Sequence, residues 1–175
     1  GSHPGEDVSG PLAGFTVLDL TQLLPGPYAT QLLVELGARV IKVEPLGIGD
    51  PARYAPPVGE DGTGAIFQAV NRGKKSLAID LKNPAGSEAL LELAGSVDVF
   101  IEGFRPGVAA RLGVGPEILR ARHPRLVYAS LTGYGQSGPL ANRAGHDGNF
   151  QALSGSLSGT GPPDGAPVLP LIPIA

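Results

Sequence analysis

Short apolar runs alternate with segments of helical periodicity along most of the chain. Runs rich in Val, Ile and Leu are typical of buried strands, and five of them predict strands over residues 15–20, 40–43, 77–81, 97–101 and 126–131. Between them, apolar residues recur at helical spacing, with Pro near the start and Gly at the end. This pattern predicts helices over residues 27–37, 84–95 and 147–157 and helical turns around residues 108–112 and 117–122.

The alternation of these elements predicts the fold class. Strands and helices that alternate across short loops form βαβ units, which build a mostly parallel sheet. We therefore expect an α/β protein with a Rossmann-like sheet and helices on both faces. Ligands of such sheets lie beyond the carboxyl ends of the strands. The residues that follow each predicted strand are thus the first candidates for chemistry.

Three regions differ in composition. Residues 1–10 start with Gly-Ser-His and are interpreted as an expression scar and a flexible lead. Residues 11–150 carry the predicted Rossmann-like domain. Residues 151–175 are rich in Gly and Pro, hold one charge, Asp164, and end in the apolar run 168–175. We expect that run to be covered by further chain or by a partner, and we interpret the chain as the amino-terminal part of a longer protein.

Composition excludes several function classes. The 175 residues include no Cys, so disulfides, thiolate metal sites, iron–sulfur clusters and a cysteine nucleophile are excluded. This absence also favours a cytoplasmic location. The formal net charge is −3, so neither nucleic acid nor an anionic membrane is an expected partner. No apolar run reaches the roughly 18 residues that a membrane helix needs.

A glycine loop and a histidine follow the fifth predicted strand. The loop GYGQSG at residues 133–138 matches the dinucleotide-binding pattern G-x-G-x-x-G, but Pro139 follows it and no helix opens on its last glycine. We therefore interpret it as an active-site loop. His146 opens the next predicted helix, where the helix dipole favours the uncharged imidazole that a general base requires. A catalytic role and a structural cap both remain open for His146, and Asp147 is interpreted as a first-turn anion.

Basic residues cluster around two predicted strand ends. A phosphate-rich ligand needs several such donors, and Arg suits bidentate contacts. The alternative is a solvated rim of the sheet. Their expected location at one edge of the sheet favours a ligand for Arg72, Lys74, Lys75, Lys82, Arg105 and Arg111.

Several motifs in register resemble one family. They are PLAGFTVLDL at residues 11–20, PGP at 25–27, LGA at 36–38, VIKVEP at 40–45, NRGKKS at 71–76, DLK at 80–82, EGFRPG at 102–107, TGYGQSGP at 132–139 and GHD at 145–147. In this order they resemble the family III CoA-transferases, and GHD resembles their alpha-methylacyl-CoA racemase branch. The resemblance runs from about residue 10 to residue 175.

The resemblance implies an acyl-CoA enzyme whose amino-terminal Rossmann-like domain binds CoA, in a homodimer of interlocked subunits. It implies no metal or redox cofactor. In the racemase branch, His146 is one of two acid–base groups, and the second is an aspartate expected at or just after the end of this sequence. CoA contacts are implied for Ile79, Asp80, Leu81, Lys82, Gly103, Phe104, Arg105, Pro106, Gly107, Arg111, Gly145, His146, Asp147, Gly148, Asn149 and Phe150.

Two other functions stay open. The first is a CoA-transferase that moves CoA between carboxylic acids through an aspartate nucleophile. The second is a non-catalytic CoA-binding fragment. The favoured hypothesis is the racemisation of 2-methylacyl-CoA thioesters by two-base proton transfer through an enolate.

Overall fold

The computed structural model describes residues 9–170. Of the described residues, 9–131 form one compact unit and 132–170 form a second one. The domain boundary at residue 150 stays a prediction. The predicted scar and the last five residues of the apolar run 168–175 lie outside the described residues. Within residues 9–170, no helix has both the length and the apolar character that crossing a membrane requires.

The first unit contains a parallel five-stranded sheet with the strand order β3-β2-β1-β4-β5. The strands are β1 (Thr16–Leu20), β2 (Arg39–Pro45), β3 (Lys75–Ile79), β4 (Val99–Glu102) and β5 (Val127–Ser130). The helices of this unit are α1 (Pro25–Glu35), α2 (Ala65–Val70), α3 (Pro84–Ala94), α4 (Val108–Arg111) and α5 (Pro116–Arg122), with a 3₁₀ helix at Pro51–Tyr54. The predicted α/β class and the mostly parallel sheet are confirmed.

Both faces of the sheet are covered, because neighbouring residues of β1 point into different cores. Leu18 belongs to a cluster that includes Leu90 of α3 and Leu119 of α5. Val17, one residue earlier, belongs to a second cluster against which Leu33 of α1 packs. Side chains of a strand alternate between its two faces, so helices lie on opposite sides of the sheet.

One strand boundary and one connecting segment differ from the prediction. The third strand ends at Ile79 and not at residue 81, because Asp80 forms a turn: its Oδ1 accepts the Lys82 N–H at 3.0 Å and its carbonyl accepts the Asn83 N–H at 3.2 Å. In addition, the proline-rich segment after β2 was predicted as a loop. It contains the 3₁₀ helix Pro51–Tyr54, and helix α2 follows it.

The second unit contains helix α6 (Asp147–Ser154) and a 3₁₀ helix at Ser156–Gly159. The prediction continued the helix through residue 157. Gly155 ends it earlier by adopting a left-handed conformation with φ of 82°, which glycine accepts at no steric cost. The glycine loop at residues 133–138 forms no helix or strand.

Candidate functional site

The order of the strands creates a topological switch point between β1 and β4, where the direction of the strand order reverses. The chain runs from β1 to β2 and β3 on one side and then to β4 and β5 on the other. The loops that leave the carboxyl ends of β1 and β4 therefore diverge, and open α/β sheets bind ligands in that crevice. A Cβ added to Gly103, which follows β4, would lie 3.6 Å from Thr21, which follows β1. The two loops are thus neighbours.

The loop after β4 carries five of the predicted CoA contacts. The Phe104 N–H donates to Oε2 of the buried Glu102 at 2.7 Å, which fixes the start of the loop. Gly107 has φ of 80°, a conformation that L side chains rarely adopt. A Cβ on Gly107 would lie 3.3 Å from Nη1 of Arg111, so these two predicted contacts are brought together. Arg105 and Arg111 are both exposed.

The last residue of β3, Ile79, and the loop after it carry four predicted CoA contacts, at residues 79–82. Lys82 is exposed, and Leu81 is half-buried. The Ser87 hydroxyl lies 2.9 Å from the Leu81 carbonyl and 2.8 Å from the Leu112 carbonyl. Ser87 therefore joins this loop to the end of α4, although β2 and β1 separate β3 from β4 in the sheet.

The predicted basic cluster does not occupy one edge of the sheet. Lys82, Arg105 and Arg111 follow the carboxyl ends of their strands, whereas residues 72–75 precede or begin β3. Arg72 is exposed and lies 3.6 Å from the Glu35 carboxylate at the end of α1. The Lys74 side chain is 1% exposed, so it is neither a solvated rim residue nor available to a ligand. The expectation for Arg72, Lys74 and Lys75 is therefore corrected.

A buried network of charged side chains, which sequence reasoning missed, lies beneath the loop of residues 21–24, named here the β1 loop. Lys74 Nζ lies 3.2 Å from Oδ2 of Asp19. Asp19 Oδ1 accepts the Thr21 N–H at 2.9 Å. Lys42 Nζ donates to the Thr21 carbonyl at 2.9 Å and lies 2.8 Å from Oδ2 of Asp50. Asp19, Lys42 and Asp50 are at most 1% exposed.

The network continues to the segment after β2. Glu44 Oε2 accepts the Asp50 N–H at 2.9 Å and the Arg53 Nε–H at 2.7 Å, and Glu44 Oε1 accepts Nη2–H of the same guanidinium at 2.7 Å. The Arg53 guanidinium also stacks 3.9 Å above the ring of Phe67. Sequence reasoning had one signal for this network, since polar residues at positions 19, 42 and 44 interrupt otherwise apolar strands.

Burial and pairing shift the protonation equilibria of this network. Burial opposes ionisation of Glu44, but hydrogen bonds from Arg53, the Asp50 amide and Ser76 outweigh it and lower its pKa to about 2. Burial lowers the pKa of Lys74 to about 8, although the Asp19 carboxylate favours the charged amine. At the other side of the sheet, burial and the Glu102 carboxylate raise the pKa of the Tyr128 phenol.

His146 lies in the second unit, at the start of α6. Its backbone N–H donates to Oδ1 of Asn149 at 3.0 Å, and the Asn149 N–H donates to the His146 carbonyl at 2.8 Å. His146 is exposed. Asp147 is in the first turn, as predicted, and its carboxylate accepts a hydrogen bond from the amide of the buried Gln151. The backbone of His146 is thus held by Asn149, and the residue is accessible to solvent.

The glycine loop and the start of α6 meet at one aromatic ring. Phe150 lies 5.3 Å from Tyr134, measured between ring centroids, with the two rings tilted by 58°. A Cβ on Gly133 would lie 2.5 Å from the Phe150 ring, and one on Gly145 would lie 2.8 Å from it. Both glycines therefore let the ring pack directly against their backbones, which joins the loop before His146 to the helix after it.

Comparisons with known proteins agree on one family. The family model of CoA-transferase family III matches residues 12–175. Human succinyl-CoA:glutarate CoA-transferase is 47% identical over 162 residues, which cover 91% of this chain and 36% of that protein. Human alpha-methylacyl-CoA racemase is 42% identical over 160 residues, which cover 91% of this chain and 38% of that protein.

A solved structure gives the same result for the fold. A CaiB/BaiF family protein from Brucella suis matches with a TM-score of 0.87 at 40% identity, covering 93% of this chain and 44% of that one. The chain thus spans less than half the length of these relatives.

Proposed function

Because the chain belongs to CoA-transferase family III, we propose that the full-length protein acts on acyl-CoA thioesters, and that it racemises the alpha carbon of a 2-methylacyl-CoA. The observation that carries the proposal is the exposed His146 at the start of α6, with its backbone fixed by Asn149. A general base must be accessible to its substrate, and the exposed His146 meets this condition.

The CoA moiety would bind at the carboxyl edge of the sheet. Lys82, Arg105 and Arg111 are exposed there, and guanidinium groups suit bidentate contacts with phosphate. The loop after β4 adds backbone groups whose geometry Glu102 and Gly107 fix. These features support a site for a phosphate-bearing ligand and do not distinguish one acyl group from another.

The proposed reaction removes the proton from the alpha carbon and returns a proton to the opposite face. His146 would take the alpha proton from one face of the thioester, and the electron pair of the C–H bond would pass into an enolate. A second acid–base group would return a proton to the opposite face, which inverts the centre. Each positioned acid–base group contributes roughly 10²–10⁴-fold to the rate of such a step.

A second candidate is transfer of CoA between carboxylic acids. The observation that favours it is the higher identity to succinyl-CoA:glutarate CoA-transferase, 47%, than to alpha-methylacyl-CoA racemase, 42%. This reaction requires a carboxylate nucleophile and does not require an imidazole at position 146.

One experiment separates the two candidates. The full-length protein is incubated in deuterated water with a single enantiomer of a 2-methylacyl-CoA, and deuterium at the alpha carbon is measured. We expect exchange in the unmodified protein, a roughly 10²–10⁴-fold loss in His146→Ala, and no comparable loss in the control His123→Gln, whose ring is bonded to the Leu91 carbonyl in the first unit. Absence of exchange, together with CoA transfer to a free carboxylate that survives His146→Ala, would establish the transferase instead.

A further inference from the structure

The β1 loop holds a non-glycine residue in a left-handed conformation. Leu23 has φ of 65°, the one positive φ among the described residues other than glycine. L residues pay a steric cost in this region, and such strain persists where the surrounding structure imposes it. Gln22 and Leu23 are exposed, whereas Thr21 before them is buried. The strained residue therefore faces solvent at the switch point of the sheet.

Buried charges impose this conformation through the backbone of the loop. Asp50 Oδ1 accepts the Leu23 N–H at 3.1 Å and also the Ala52 N–H at 2.9 Å. Lys42 donates to the Thr21 carbonyl while it pairs with the other oxygen of Asp50. One ion pair thus binds the loop on both sides of Gln22.

An ion pair is an inefficient way to stabilise a core. Burying two charges costs free energy that their attraction often fails to recover, and apolar replacements are frequently as stable. The pair of Lys42 and Asp50 has a different effect here, because its partners are backbone groups of a loop beside Gly103. Its geometry fixes the conformation of that loop.

We propose that Asp50 and Lys42 are positioning residues for acyl-CoA binding, which hold the β1 loop in its strained conformation so that the backbone of its exposed residues faces the ligand. The inference rests on the proposed action on acyl-CoA and extends it to residues that lie outside the predicted CoA contacts. The backbone conformation at Leu23 is the quantity that matters, and the identity of its side chain is secondary.

Two substitutions of Leu23 in the full-length protein test this without altering a buried charge. Gly adopts a positive φ freely, whereas Ile has the volume of Leu but is β-branched and resists it. We expect the KM for acyl-CoA to rise several-fold in Leu23→Ile, because a β-branched side chain tolerates the positive φ less well than the leucine it replaces. In Leu23→Gly the KM should stay within about twofold. The kcat should change little in either variant. The opposite order, a defect in Gly and none in Ile, would overturn the proposal.

A second arm tests Asp50 directly. Asp50→Asn weakens the pair with Lys42, so we expect it to raise the KM for acyl-CoA, as Leu23→Ile does. The rise in KM should be smaller when Leu23→Gly is also present, because glycine adopts the positive φ without the restraint from Asp50. The matched control is Glu88→Gln, a carboxylate-to-amide change in an exposed pair with Arg122, which should leave KM unchanged. Equal effects of Asp50→Asn in both Leu23 backgrounds would contradict the proposal.

A failure of the positioning role can be distinguished from a failure of the proposed function. If Asp50→Asn does not fold, the Leu23 pair of variants decides. If the unmodified protein turns over acyl-CoA and all variants share its KM, the positioning role is wrong and the proposed function stands. If the unmodified full-length protein neither binds nor turns over acyl-CoA, the proposed function fails and the inference fails with it.

Discussion

The hydrogen-bond partners of Glu44 determine the pKa of its carboxyl group. Its two oxygens accept hydrogen bonds from Arg53, from the Asp50 amide and from Ser76, and its side chain is 3% exposed. These contacts lower its pKa to about 2 from an ordinary value of 4.5. The folded protein therefore keeps the charge at pH values where the unfolded chain has already taken up a proton.

This difference predicts an acid-dependent loss of stability. The contribution of Glu44 is fully present above pH 4.5 and declines as the pH falls toward 2, because the unfolded state binds the proton first. This lowering of the pKa corresponds to at most about 3–4 kcal/mol. Urea unfolding measured from pH 7 to pH 3 should show a shallower decline for Glu44→Gln than for the unmodified protein. Parallel pH profiles for the two proteins would argue against the assignment, and Glu88→Gln, in an exposed pair, provides the control.

Lys74 shows what single-residue reasoning leaves out. Its place in a run of basic residues predicted a ligand contact or a solvated rim. In the fold its amine bonds Asp19, the Thr30 hydroxyl and the Asn71 side chain. Asp19 lies 55 positions away along the chain, so the sequence alone does not indicate that it pairs with Lys74. The fold of the first unit brings the two side chains together.

At the scale of elements, the junction of the glycine loop with α6 depends on the absence of two side chains. The Phe150 ring occupies the space where a Cβ on Gly133 or Gly145 would lie. Introducing a methyl group into a packed contact costs about 1–3 kcal/mol. The close approach therefore explains why glycine stands at both positions, independently of any catalytic role for the loop.

Gly133→Ala and Gly145→Ala should each loosen this junction. We expect faster hydrogen exchange in residues 147–150 for both variants, because the ring must move away. Adding Phe150→Leu should remove most of the effect of Gly133→Ala, since the smaller side chain leaves room for the methyl group. The rescue should be smaller for Gly145→Ala, because a Cβ there also lies 2.8 Å from the Tyr134 hydroxyl. Gly159→Ala is the control, because a Cβ there meets no atom within 4 Å. Additive effects of the alanine and leucine substitutions would show that the ring is not the obstacle.

Most elements follow from local pattern, and the exceptions have physical causes. All five strands were predicted within a few residues, because their apolar runs are short and bounded by turn residues. Helix α2 was missed because its six residues are too few for a periodicity to emerge. The β3 boundary was misplaced because a turn made by the Asp80 side chain ends the strand while the apolar pattern continues to Leu81.

At the scale of the whole molecule, the parallel topology determines where a ligand belongs. The sheet brings the loops after β1, β3 and β4 to one edge, and that edge was predicted from the alternation of strands and helices alone. The ionic network below the β1 loop was not predicted, since it depends on contacts between side chains far apart in the sequence. The assignment of Lys82, Arg105 and Arg111 to CoA remains a prediction.

The central claim is that this edge binds CoA, and calorimetric titration of CoA into the full-length protein tests it most directly. The variant Arg105→Ala with Arg111→Ala should lose about 1–3 kcal/mol of binding free energy for each charged hydrogen bond broken. The matched control is Arg120→Ala with Arg125→Ala, which removes two exposed guanidinium groups of the same unit from α5 and from the segment before β5. A large loss in the first pair with little change in the second is the predicted result. Equal affinities for all three proteins would contradict the account.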